Sequence, residues 1–179
     1  MGFKNAVRHM LGGRQMGALA AGEIAPAFSL TNLDGKQVSL ADALKKGPVL
    51  AAFFKVNCPT CQFTFPFLER LYETYGDSRF TVWGISQNEA ADTREFCREY
   101  GIKFPALLDG RGYPASNDYG ITNVPTLFLI SSDGKIQETS VGFVKADLEK
   151  LAAVAAHATG KSFVPLFKPG EVIPESKPG

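Results

Sequence analysis

The residues of this 179-residue chain with the most chemistry in them are its three cysteines. Cys58 and Cys61 form a close pair in the run Cys58-Pro59-Thr60-Cys61, and Cys97 stands alone. An odd count is poor arithmetic for a disulfide scaffold, so the pair is either a redox dithiol or half of a metal site. Two intervening residues on one helical turn bring the second sulfur within bonding reach of the first. The first turn of a helix, with unpaired N–H groups and aligned peptide dipoles, stabilises a sulfur anion over a thiol. Pro59 suits the first helical position, where its missing N–H would be unpaired anyway. On this reading Cys58 sits at an exposed lip and attacks a disulfide, and Cys61, a turn deeper, resolves the mixed disulfide that forms. Thr60 lends no charge. Lys55 has two readings, as a cation beside Cys58 or as a strand-end side chain in solvent.

Zinc requires a full tetrahedral set of ligands, and the other candidates are Cys97, His9 and His157. None makes a second close pair, and the two histidines lie near opposite ends of the chain. No metal is expected. Cys97 reads as a structural cysteine packed on the inner side of its helix, with a third redox partner as the alternative.

The pair needs a strand that ends and a helix that begins near residue 58, and the hydrophobic pattern supplies both. Residues 49–54 are a continuous apolar run, suited to a central strand buried on both faces. Across 59–75, Phe63, Phe67, Leu71 and Tyr75 recur every four residues with Leu68 and Tyr72 beside them, a helical stripe ended by Gly76. Upstream, strands near 27–30 and 38–40 flank the Asp34-Gly35 turn, and 41–44 make one helical turn before Gly47-Pro48. Downstream, a strand over 80–85, a helix over 90–100 and a strand over 104–108 follow. A hairpin of 126–130 and 136–141 about Asp133-Gly134 comes next, then a helix over 147–158 with Leu148 and Leu151 inward. This order predicts an α/β fold with a central mixed β-sheet flanked by helices. The sheet is parallel in the middle, with antiparallel strands added by the closing hairpin.

Composition bounds what surrounds that core. Apolar residues make up 45% and charged residues 21%, with a net charge of +1 and no block of like charges. This excludes a nucleic-acid or anionic-membrane footprint and leaves an ordinary globular domain, expected to act as a monomer. No apolar run approaches the ~18 residues of a spanning helix. Residues 1–22 are broken by Lys4, Arg8 and Arg14 and lack the ~7–15-residue apolar stretch of a secretory signal. They are expected to form a mobile or weakly helical arm, with the cytoplasm as the compartment, or the periplasm or a membrane surface if a signal was removed. The domain proper is assigned to 23–159. The tail over 160–179, with Pro165, Pro169, Pro174 and Pro178, is expected to lack regular structure, though Phe163, Leu166 and Phe167 offer points to strap it down.

The run Phe53-Phe54-Lys55-Val56-Asn57-Cys58-Pro59-Thr60-Cys61 resembles the strand-to-helix active site of the thioredoxin-like superfamily. Pro66, five residues beyond Cys61, matches the proline that kinks this helix in family members. Gly120-Ile121-Thr122-Asn123-Val124-Pro125-Thr126 resembles the cis-proline loop that faces the cysteines and pairs with substrate backbone. Glu23 to Leu30 followed by Gly35-Lys36 resembles the opening hairpin of the TlpA/ResA-like redoxin branch, related to AhpC/TSA proteins. Phe96 to Pro105 resembles its inserted helix and strand.

The resemblance spans about residues 24 to 158. It implies disulfide exchange with a protein partner, a redox-active Cys58–Cys61 disulfide in place of any cofactor, and substrate contacts at Pro59, Thr60, Val124 and Pro125. Departures fall at Asn57, where many members place Trp, and at Ala52 and Gln87, where relatives carry an acid that takes the proton of the second cysteine. Lys55, Asn57 and Gln87 are thus candidate modulators. The alternative activity is that of a sister branch, the peroxiredoxins, a thiol-dependent peroxidase acting through Cys58; that branch shares the triplet Cys58-Pro59-Thr60 but uses a Thr where this chain has Lys55. A binding module that keeps the groove without redox chemistry is the remaining alternative.

Overall fold

The computed structural model describes residues 17–179. Its centre is β3 (Val49–Phe54), whose side chains alternate between two hydrophobic layers as the strand period requires. Leu50, Ala52 and Phe54 enter one layer, and Val49, Ala51 and Phe53 the other. All six are fully buried. Each large side chain among them contributes roughly 1.5–3 kcal/mol of burial.

The remaining elements are β1 (Ser29–Asn32), β2 (Gln37–Ser39), α1 (Leu40–Leu44), α2 (Pro59–Tyr75), β4 (Thr81–Ser86), α3 (Ala90–Glu99), β5 (Ala106–Leu108), α4 (Pro114–Asp118), β6 (Thr126–Ile130), β7 (Ile136–Val141), β8 (Phe143–Val144), α5 (Lys145–Thr159) and β9 (Ser176–Lys177). Seven strands form one sheet in the order β2-β1-β5-β4-β3-β6-β7. Pairs β3–β4 and β4–β5 are parallel, and β6 runs antiparallel to both β3 and β7. This is the mixed sheet expected of the alternating pattern. The α3–β5 insertion adds β5 between β4 and the N-terminal hairpin, which pairs antiparallel to it.

Helices α2 and α5 cover one sheet face, where Phe65, Leu68 and Leu71 meet Leu148, Leu151 and Ala155 in one buried cluster. Tyr119, just past α4, packs on the other face against Phe53 and Phe128 with ring centroids 5.2 and 5.0 Å away. The short α4 was not visible in the hydrophobic pattern. Its N-terminal amides at Ala115 and Ser116 donate to buried Asp109 at 2.9 and 2.8 Å, so a side chain outside the helix fixes it.

Two expectations change at the ends of the chain. Residues 1–16 lie outside the described residues. Residues 17–22, assigned to the arm, are docked: Leu19 is buried, its N–H donates to the Tyr119 carbonyl at 3.1 Å, and Gly22 N–H donates to Ile136 at 2.8 Å. The tail was expected to lack regular structure, and it holds one strand. β9 pairs antiparallel with β8, matching Phe143 with Lys177 and Val144 with Ser176. Leu166 is buried and Phe167 meets Phe67 edge-on at 5.1 Å, as expected, but Phe163 is 53% exposed.

Candidate active site

The last residue of β3 hands the chain to a three-residue loop, 55–57, that turns it into α2. Three hydrogen bonds fix that loop. Cys58 N–H donates to the Lys55 carbonyl at 3.2 Å. Val56 N–H donates to Asn88 Oδ1 at 3.1 Å, and Gln62 Nε2 donates to the Val56 carbonyl at 2.9 Å. Asn88 follows β4 and Gln62 lies in α2, so two elements grip one residue of the loop from opposite sides.

Cys58 is the residue before α2, in extended conformation, with Pro59 at the first helical position. Its sulfur accepts the Cys61 N–H at 3.2 Å and, as a thiol, donates to the Val124 carbonyl at 3.2 Å. The half-buried sulfur therefore has a backbone donor on one side and a backbone acceptor on the other. One helical turn on, Cys61 is fully buried in the layer that holds Ala52, Phe54 and Phe65. Burial, and then the hydrogen bond to Cys58, push its thiol far above the usual cysteine range, with the Lys55 backbone opposing weakly. Among the described residues, no carboxylate or imidazole contributes to that shift. One sulfur is accessible, and the other is withheld as a thiol behind it.

The Val124–Pro125 peptide is cis. The loop is held from both sides: Gly142 N–H donates to the Pro125 carbonyl at 2.8 Å, and Thr126 Oγ1 donates to the Asn123 carbonyl at 2.7 Å. Of the four residues expected to meet substrate, Pro59 is exposed and Pro125 buried. Val124 touches Cys58 through its carbonyl, and Thr60 Oγ1 donates to the Pro178 carbonyl at 2.7 Å. Among the candidate modulators, Lys55 is exposed and has no ion pair among the described residues, in line with its solvent reading. Asn57 is exposed and borders a hollow with Asp92, Glu95 and Glu99. Gln87 donates through Nε2 to Ser116 Oγ at 2.8 Å beside Lys55 and Val124, and holds no titratable proton.

Cys97 is half-buried against the core, its thiol pushed up to about 11 by burial and then by the charge of Glu69. His157 is exposed on α5, and His9 lies outside the described residues. Asn88, Gln62 and Asn123 were missed from sequence. Each acts by a hydrogen bond to a backbone group whose position only the fold sets.

The sequence profile of the AhpC/TSA family matches residues 21–139. Among curated proteins, the chain is 34% identical over 122 residues to the thiol-disulfide oxidoreductase ResA of Bacillus thuringiensis (strain Al Hakam), covering 68% of this chain and 69% of the relative. It is 33% identical over 133 residues to the thioredoxin-like protein YneN of Bacillus subtilis (strain 168), covering 72% and 76%. Among solved structures, it resembles the thioredoxin domain of a thiol-disulfide oxidoreductase from Bacteroides vulgatus, with TM-score 0.69 and 27% identity over 79% of this chain and 99% of that one. It shares its fold with the peroxidoxin BcpB of Mycobacterium tuberculosis at TM-score 0.66 and 20% identity over 78% and 97%. The paired cysteines at the mouth of α2, the cis-proline loop opposite them and the match over 21–139 agree: this chain belongs to the AhpC/TSA family, on the thioredoxin-like fold of the ResA-type oxidoreductases.

Proposed function

We propose that this protein is a thiol–disulfide oxidoreductase that exchanges disulfides with a protein partner through Cys58 and Cys61. One observation carries the reading. An accessible sulfur at the start of α2 accepts the N–H of a second, buried cysteine and faces the carbonyl before a cis-proline.

The Cys58 thiolate attacks one sulfur of a partner disulfide. The partner S–S bond breaks, its other sulfur leaves as a thiolate and takes up a proton, and a Cys58–partner disulfide forms. Cys61 then loses its proton and attacks Cys58, forming the internal disulfide and expelling the partner's remaining sulfur, which is protonated in turn. Two electrons and two protons have passed to the partner, and the reverse sequence oxidises it. The pair is the whole redox equipment on this reading, and no cofactor takes part.

The test uses a protein disulfide and three forms of the chain reduced beforehand, with dithiothreitol added in the turnover assay alone to return the Cys58–Cys61 disulfide to the dithiol. Wild type is expected to turn over, Cys61→Ser to accumulate a mixed disulfide on Cys58 visible by mass, and Cys58→Ser to do neither. Hydrogen peroxide is expected to oxidise Cys58 slowly compared with that exchange. Undiminished turnover by Cys58→Ser would sink the reading, and so would peroxide consumption that outpaces exchange.

A further inference from the structure

After α5, the chain turns back along α2 and follows it toward the cysteines. Val164 N–H donates to Tyr75 Oη at 2.7 Å, near the far end of α2. Glu171 then grips Arg70 with two bonds of 2.6 and 2.9 Å, the guanidinium holding its carboxyl down at about 2. Lys145 N–H donates to the Glu175 carbonyl at 2.9 Å, starting the β8–β9 pairing. Lys177 Nζ lies 5.1 Å from the centre of the Phe63 ring. Its contacts on α2 thus pass from Tyr75 through Arg70 to Phe63, and the next one is in the Cys58-Pro59-Thr60-Cys61 run itself.

There the segment meets two of the residues expected to hold substrate, Thr60 and Val124, with Asn123 beside them. Thr60 Oγ1 donates to the Pro178 carbonyl at 2.7 Å, and Asn123 Nδ2 donates to the Gly179 carbonyl at 3.1 Å. A Cβ on Gly179 would lie 2.9 Å from the Val124 oxygen, the same carbonyl that receives the Cys58 thiol. On the other side, Gly142 at φ +76° lets its backbone approach the Lys177 carbonyl more closely than any side chain permits. An extended peptide lying against Val124 and Thr60 is the geometry in which a substrate strand would be presented to Cys58.

We propose that residues 176–179 act as a built-in competitor for the protein partner. The segment occupies the groove between Thr60 and the Val124–Pro125 loop, and an extended partner strand must displace it to bring a sulfur onto Cys58. This rests on the exchange reading and names its gate. The groove's ligand class is then an extended polypeptide running antiparallel to β8, with a small residue where Gly179 sits against Val124. The two side-chain-to-carbonyl hydrogen bonds alone favour the seated segment about tenfold, and the β8–β9 pairing adds to that, so at most about a tenth of the molecules are open to a partner.

The experiment compares the full chain with one ending at Glu175. Insulin disulfides serve as the polypeptide probe and the small aromatic disulfide DTNB as the compact one. Truncation is expected to speed insulin reduction about tenfold or more and to leave the DTNB rate within about twofold. The free hexapeptide of residues 174–179, added at millimolar concentration, is expected to slow the truncated form again, as a competitor. A second measurement keeps the full chain: in Cys61→Ser carrying a peptide in mixed disulfide on Cys58, the amide resonances of residues 176, 177 and 179 are expected to move to disordered positions. Equal insulin rates for both lengths overturn the proposal, as do unmoved resonances. No insulin reduction by either length would overturn the exchange reading itself.

Discussion

The most exacting prediction concerns the proton on Cys61. That side chain is fully buried, and burial is the main reason its thiol is held so far above the cysteine range. The second reason, its hydrogen bond to Cys58, weakens once Cys58 is locked in a mixed disulfide, but burial persists. Neither Ala52, fully buried, nor Gln87, whose amide is committed to Ser116, can take a proton from it. Glu69 lies eight residues along α2, about 12 Å of rise away, and it accepts the N–H groups of Lys103 and Phe104 at 2.8 and 3.3 Å. Among the described residues no base is placed to take the proton, so the resolving step depends on the small thiolate fraction of Cys61. That fraction grows about tenfold for each pH unit below the thiol's own value. Stopped-flow with DTNB separates the steps, because the first thionitrobenzoate is released by Cys58 and the second by Cys61 displacing it. The second rate is expected to climb about a hundredfold from about pH 7 to about pH 9, without a plateau. An ordinary cysteine would level off near pH ~8.5. Levelling at or below that point would show that a base serves Cys61 or that water reaches it, and the argument from burial would fail.

Two further outcomes follow from the same geometry. Cys61 and Cys97 both hold their protons more tightly folded than unfolded, so their contribution to stability is complete below about pH 8.5 and is lost as pH rises above it, at about 1.4 kcal/mol per unit per group. Thermal melts of the reduced protein are therefore expected to fall by about 3–6 °C more per alkaline pH unit than those of the disulfide form, where Cys61 has no proton to lose; parallel curves would refute this. Asn88→Ala leaves the Val56 N–H without its acceptor and is expected to cost about 1 kcal/mol and to slow the first DTNB phase. Asn88→Asp, which keeps the acceptor, should restore the melting temperature, and a first phase unchanged in Asn88→Ala would remove Asn88 from the positioning of Cys58.

What the sequence made legible, and what it hid, divides along the physics of range. The strands at Val49–Phe54, Thr126–Ile130 and Ile136–Val141 and the helix at Pro59–Tyr75 fall where the pattern puts them, because burial on both faces or along one stripe is written in consecutive residues. The cysteine pair and the proline opposite it carry their own spacing and loop chemistry, and they too are read locally. The α4 turn depends on Asp109, and the Cys58 loop depends on Asn88, 32 residues from the Val56 amide it accepts. The tail's strand depends on a two-residue partner at Phe143–Val144, which no periodicity announces. Prolines at 165, 169, 174 and 178 exclude a helix there and leave an extended chain, as edge strands allow, but they say nothing about where it lies. That position comes from Arg70, Phe63 and Thr60, which lie along α2 from its middle to its first turn. The helix that sets out the two sulfurs thus also guides residues 176–179 to the groove beside them.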